Sequence, residues 1–241
     1  MLMICSGFSP SGYRQYGRRF LDSFDRCWPA DVKLGVWVEE PVPMPRDACR
    51  DLWAIPGATE FRDRHAGNAA AQGREPRPCW KAAEVKGGYS FRTDAYKFWK
   101  QILIPQQASL ELADGDVLAW FDADVQFSRP VPADFVEKLL GDADVCFLGR
   151  ERQHSEIGFW AVRLNESTRW FLSRIANEYV HDKVFDLVEW HSAFVWDHVR
   201  RTSHLRERNL TPGPVRGHVW PLSPLARYCE HLKGARKGVS A

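Results

Sequence analysis

The chain has 241 residues, 44% of them hydrophobic and 27% charged, with 33 Lys and Arg against 31 Asp and Glu for a formal net charge of +2. This length suits one large domain, the composition excludes intrinsic disorder and fibrous repeats, and no apolar run approaches the ~20 residues of a membrane-spanning helix. The charge is uneven: residues 200–241 hold nine Lys and Arg and two Asp and Glu, a balance of +7 against −5 for the remainder.

A basic end on a mildly acidic body suits a phosphate-bearing ligand or an anionic surface and leaves peripheral membrane contact open. The small overall charge argues against nucleic-acid binding by bulk electrostatics. Six cysteines are scattered without a Cys-x-x-Cys pair, and the apolar Met1–Phe8 stretch lacks the basic segment and cleavage site of a signal peptide. Free thiols in a reducing cytoplasm follow as the expectation.

In chain order, Met3–Phe8 and Lys33–Glu39 predict strands, each closed by Pro- or Gly-rich residues. Between them Tyr13, Tyr16, Phe20 and Phe24 recur at helical spacing. Strand, helix, strand is the opening of an α/β domain with parallel strands. Residues 62–88, rich in Gly, Ala, Arg and Pro, predict a surface insertion or loop. Phe91, Ala95, Phe98 and Ile102 then share one helix face, with Ser90 as N-cap and Pro105 just past the end. Further on, Val117–Phe121 predicts a buried strand, Val131–Leu140 a helix, Asp144–Gly149 and Ile157–Leu164 strands. Helices over Glu166–Tyr179, behind an Asn165 cap, and Trp190–Thr202 follow, and beyond Asn209 the chain predicts loop.

The strongest chemical signal is Asp122-Ala123-Asp124 at the end of the Val117–Phe121 strand. If the strand persists, alternation puts both carboxylates on one side, at the sheet edge where open α/β folds bind ligands. Paired carboxylates repel, and a hard divalent cation such as Mg²⁺ or Mn²⁺ stabilises both as anions and can hold a diphosphate. The same residues also suit a solvated turn. Asp94 and Lys97, three residues apart on the preceding helix, suit a surface ion pair equally well.

Taken together, the Arg92-x-Asp94-x-x-Lys97 helix, Phe121-Asp122-Ala123-Asp124 and the terminal His231-Leu232-Lys233-Gly234-Ala235-Arg236-Lys237 resemble the nucleotide-sugar-dependent glycosyltransferases of the GT-A fold, above all their glycogenin-like branch. The resemblance implies an α/β, Rossmann-like fold with a mixed, mostly parallel central sheet flanked by helices and a basic C-terminal tail. It implies a single domain over 1–241, with a nucleotide-binding half at 1–125 and an acceptor half with the tail at 126–241. It further implies transfer from a UDP- or GDP-sugar donor to a carbohydrate or other small acceptor, with Mn²⁺ or Mg²⁺ on Asp122, Asp124 and His231. Lys233, Gly234 and Lys237 would contact the diphosphate, while Arg92, Asp94 and Lys97 would engage the nucleotide, donor sugar or phosphates. If the resemblance is close, configuration at the anomeric carbon is retained.

The segment Glu156–Ala161 matches the part of the family that lines the sugar and acceptor cleft. Gly158 there suits close approach by a ligand or a bulge, and Trp160 suits a sugar face or the core. Where the family places an Asp-Gln pair near the reacting centre, this chain has Glu189-Trp190-His191-Ser192. Glu189 or His191 must then supply any acid, base or sugar-positioning group.

Two other readings fit parts of the sequence. Phosphatases of the haloacid-dehalogenase type also carry Asp-x-Asp after an apolar strand, but near the N-terminus, whereas about half of this chain precedes it. A non-catalytic carbohydrate- or nucleotide-sugar-binding module would use the 11 Trp residues as stacking surfaces and the basic tail as charge.

Overall fold

The computed structural model describes residues 1–44, 48–75 and 88–234. The first strand, β1 (Leu2–Phe8), leads into a helical run: α1 (Pro10–Gly12), a π-helical turn at Tyr13–Gly17 and α2 (Arg18–Cys27). Strands β2 (Lys33–Val38) and β3 (Cys49–Asp51) follow, then helix α3 (Ala58–His65). Next come α4 (Ala95–Phe98), α5 (Lys100–Ser109), β4 (Val117–Phe121), β5 (Val125–Phe127), α6 (Phe135–Leu140) and β6 (Val145–Leu148). The chain continues through β7 (Glu156–Arg163), α7 (Glu166–Val180), α8 (Ser192–Arg200), β8 (Glu207–Asn209) and β9 (Cys229–His231).

Seven strands form one sheet in the order β3-β2-β1-β4-β7-β6-β8, with only β7 antiparallel to its neighbours. This is the mixed, mostly parallel α/β sheet that the sequence leads one to expect. Alternation along each strand splits the core into two layers. Ile4, Ala119, Phe121 and Phe159 face one layer with Phe20, Phe24, Trp28 and Trp220. Cys5, Leu118, Trp120 and Trp160 face the other with Trp99, Phe171 and Trp196. Helices cover both faces, so β4 is apolar throughout and wholly buried.

Several local expectations are corrected. Residues 62–75 are not a free loop: α3 runs into them, Ala71 is buried, and Gln72 bridges to Asp94. Residues 76–87 lie outside the described residues. The helix expected after Ser90 is broken at Trp99. Its cap is Asp94, whose carboxylate accepts the Lys97 N–H at 2.9 Å. Pro105 sits inside α5, where burial of Ile102, Leu103 and Ile104 outweighs the hydrogen bond it cannot donate. The helix expected from Val131 starts at Phe135, and the end expected to be loop beyond Asn209 contains β9. The tryptophans are mainly core: Trp28, Trp37, Trp99, Trp120, Trp160, Trp190, Trp196 and Trp220 are buried, which leaves few as stacking surfaces.

Candidate metal and ligand site

One reversal of strand order builds the site. From β1 the chain crosses to β2 and β3 on one side, and β4 pairs with β1 on the other. Such a switch point leaves a crevice beyond the strand ends. A cavity of about 670 Å³ lies there, lined by Gly7, Phe8 and Ser9 after β1 and by Asp122, Ala123 and Asp124 after β4. The β4 strand does not persist to Asp124; a turn closed by the Val125 N–H to the Asp122 carbonyl (3.0 Å) aims both carboxylates to one place instead.

The third member comes from the far end of the chain. Strand β9 pairs antiparallel with β5 in the register Val125↔His231, and the Leu232 N–H donates to the Asp124 carbonyl at 2.9 Å. His231 Nε2 thereby lies 2.8 Å from Asp124 Oδ1 and 3.5 Å from Asp122 Oδ2. Its ring is buried against Trp220, with centroids 5.0 Å apart. From the other side Gly158 presses on it: a Cβ there would lie 2.5 Å from His231 Cε1 and 3.3 Å from Asp122 Oδ2. The close approach the sequence suggests at Gly158 is thus an approach of the imidazole.

The cluster is oriented from behind. Trp120 Nε1 and Gln101 Nε2 each donate to Asp122 Oδ1 at 2.9 Å, and the Ser192 hydroxyl in turn donates to Gln101 Oε1. Burial and the neighbouring Asp124 charge push the Asp122 carboxyl up to about 6, against the opposing pull of His231 and Lys233. Two carboxylates and an imidazole with their ligand atoms within 4.8 Å of one another suit a divalent cation, which relieves that repulsion. The donor set fits such an ion, and Gly158 leaves the room that brings the imidazole into it.

Cations surround the cluster. Lys97, Lys100, Arg150 and Lys233 line the same cavity. Lys100 pairs with Glu39. Arg150 is fixed by the His154 and Ser155 carbonyls, at 2.5 and 3.2 Å. Glu156 joins the two ends of this ring, 3.3 Å from Lys233 Nζ and 3.6 Å from Arg150 Nη1. Burial alone would raise the Glu156 carboxyl, but Lys233, His231 and Arg150 together hold it below the usual range.

The remaining sequence-derived residues fall in different places. Lys97 and His191 line the cavity; Arg92, Asp94, Glu189 and Gly234 do not. Asp94 is buried, caps α4 and accepts the Tyr89 hydroxyl at 2.8 Å, so its bond is to the Lys97 backbone and not to its ammonium. Arg92 Nη1 meets Glu189 Oε1 at 2.5 Å. Glu189 Oε2 meets His191 Nε2 at 2.8 Å and His154 Nε2 at 3.2 Å. Burial opposes ionisation of Glu189, yet the two histidines hold its carboxyl well below the ordinary range. Burial likewise keeps His191 below its usual value, against the pull of Glu189. Gly234 closes the described chain at φ +58°, and Lys237 lies outside the described residues.

His154, Arg150, Gln101 and Lys100 were not among the residues picked from the sequence. They reach the site through strand pairing and helix packing, and none sits in a motif of its own.

No protein-family model matches the chain, and no curated protein matches it. Among solved structures, it is similar to a glycosyltransferase involved in glycosylation of the major capsid of PBCV-1, at 10% identity over 86% of this chain and 80% of that one, with a TM-score of 0.45. Similarity to mouse xyloside xylosyltransferase 1 is at 11% identity, over 94% and 91% of the two chains, with a TM-score of 0.48. An active-site mutant of LgtC is similar at 13% identity over 81% and 69%, with a TM-score of 0.42. At this distance the site's own residues carry the functional reading.

Proposed function

We propose that this protein is a metal-dependent glycosyltransferase of the GT-A type, moving a sugar from a UDP- or GDP-sugar to a carbohydrate or other small acceptor. The observation that carries this reading is the Asp122, Asp124 and His231 cluster at the end of β4, set in a 670 Å³ cavity ringed by lysines and an arginine. A cation site beside several positive side chains suits a diphosphate, whose charge grows as the sugar leaves.

In this reading Asp122, Asp124 and His231 hold Mn²⁺ or Mg²⁺, which supplies positive charge to the leaving diphosphate. Lys97 and Lys233 add point charges from two walls, and phosphate contact by Gly234 and Lys237 rests on the sequence pattern of the tail alone. Asp94 acts indirectly, by capping the helix that presents Lys97. Arg92 pins Glu189. Glu189 accepts from Arg92 and contacts both His154 and His191, which leaves it a weak base. Glu189 therefore serves to orient His191, and His191, which lines the cavity, contacts sugar or acceptor. Residues 1–125 serve the nucleotide, and 126–241 the acceptor and the tail.

Calorimetry against UDP- and GDP-sugars, with and without Mn²⁺, tests the reading. At least one donor binds in a Mn²⁺-dependent manner, and Asp124→Asn or His231→Ala removes that dependence. Turnover of the same donor falls by at least ~100-fold, the scale on which one electrostatic group acts. Absence of binding by every donor under both conditions overturns it.

A further inference from the structure

A second group of ligating side chains stands apart from the Asp122 cluster. His154, in the turn before β7, and Glu189 and His191, ahead of α8, also bring their ligand atoms within 4.8 Å of one another. Glu189 and His191 are buried at 8% and 5% exposure. Arg92 on Oε1 already balances the Glu189 charge. Yet two imidazole Nε2 atoms converge on the remaining oxygen, at 2.8 and 3.2 Å.

Those separations have a metal-site geometry. Zinc binds imidazole nitrogen at about 2.0–2.1 Å and carboxylate oxygen at about 2.0–2.2 Å, so a tetrahedral shell spaces its ligand atoms about 3.3 Å apart. The two Glu189–His spacings, 2.8 and 3.2 Å, are hydrogen-bond lengths. A metal would replace those bonds by moving the three ligand atoms, all within 4.8 Å of one another, outward by up to about half an ångström. An arginine on the other carboxylate oxygen is the kind of outer partner that orients a ligating carboxylate.

We propose that His154, Glu189 and His191 form a Zn²⁺ site, separate from the Asp122, Asp124 and His231 cluster. Two imidazoles and one carboxylate favour zinc over Mg²⁺ or Mn²⁺, which prefer oxygen-rich shells. Three protein ligands leave a fourth position for water or an oxygen of a bound ligand. His191 also lines the cavity of the first cluster, so the proposed site adjoins that cavity. The two centres divide by chemistry: the aspartate-rich one for a hard cation, the histidine-rich one for zinc. The inference does not depend on the glycosyltransferase reading.

Metal-stripped protein, with Mn²⁺ added to fill the first cluster, is titrated with Co²⁺ and then Zn²⁺. One equivalent of Co²⁺ gives the intense visible absorption of a four-coordinate site, one equivalent of Zn²⁺ displaces it, and Zn²⁺ raises the Tm. The absorption and the Tm shift are lost in His154→Ala and in Glu189→Gln and kept in Asp124→Asn. The His154 side chain is 27% exposed, so His154→Ala leaves the fold intact, which circular dichroism checks. Failure of the wild type to bind Zn²⁺ overturns the site, as does binding that survives both His154→Ala and Glu189→Gln. Loss of Zn²⁺ binding in Asp124→Asn alone overturns it as well, since the zinc would then sit in the first cluster.

Discussion

Gly158 has almost no room to change. Its missing side chain admits the His231 ring on one side of the β7 backbone, where an added Cβ would stand 2.5 Å from Cε1 and 2.7 Å from Nδ1. Gly158→Ala must therefore displace the imidazole or bend β7, an overpacking cost of about 1–3 kcal/mol. The expected result is a folded protein with a lowered Tm and weakened Mn²⁺ binding; calorimetry that finds unchanged Mn²⁺ affinity counts against His231 as a ligand. At this scale Asp122 and Asp124 were legible, because an Asp-x-Asp after a buried strand is a local pattern. His154 was not, and Glu156 was legible only as the start of a cleft-lining segment, since their ionic roles come from partners on other segments: His154 from Glu189, Glu156 from Lys233 and Arg150.

Elements show the same division. Helix α7 was readable nearly end to end from its Asn165 cap, and the structure adds a capping box between Asn165 and Thr168. The interruption at Trp99 and the continuation through Pro105 were not readable, because packing against β1 and α7 overrides the local penalty. Strands β5 and β9, three residues each, are too short for periodicity to mark them. Their pairing nonetheless delivers His231.

Another long-range tie sets an acid limit. Asp144, just before β6, accepts from the Arg206 backbone and guanidinium and from Asn165, and so joins β6, α7 and the approach to β8. Bonding to Arg206 holds its carboxyl below the ordinary range, although its partial burial works the other way. A folded-state value below the unfolded one of ~3.9 gives stability that is complete above that value and disappears as pH falls through the folded value. Urea midpoints measured from pH 6 down to pH 2.5 should fall more steeply for wild type than for Asp144→Asn, which starts lower at pH 6. Parallel slopes for the two proteins would remove Asp144 from the acid response.

Across the whole molecule, the partition of charge acquires a structural meaning. Part of the +7 end ties that end to the acidic body: Arg200 pairs with Asp197, Arg206 with Asp144, and Arg216 with Glu151, while Arg200 also meets Glu207 within the same end. Of the described cations in residues 201–234, Lys233 is the one that lines the cavity. A chain stopped after Leu232 loses Lys233, Arg236 and Lys237 but keeps β9 with its His231. It should retain the fold and Mn²⁺ binding while its affinity for a nucleoside diphosphate and the salt dependence of that affinity both drop, as salt-resolved calorimetry would show. An undiminished salt dependence would assign the phosphate charge to Lys97, Lys100 and Arg150 instead.

By itself the sequence determined the α/β class, the position of the central strands and the pair of aspartates at the end of β4. Alternation and helical periodicity report which face of an element is buried, and these features need no more than that. The resemblance carried by the tail also named His231 as their partner. Only the tertiary structure decided how His231 reaches those aspartates, that Gly158 makes room for it, that several cations of the basic end are bound to the body, and that a second histidine cluster exists. Each of these depends on a distance between segments far apart in the chain. Such distances are set by strand order and register, which burial patterns along one strand do not encode.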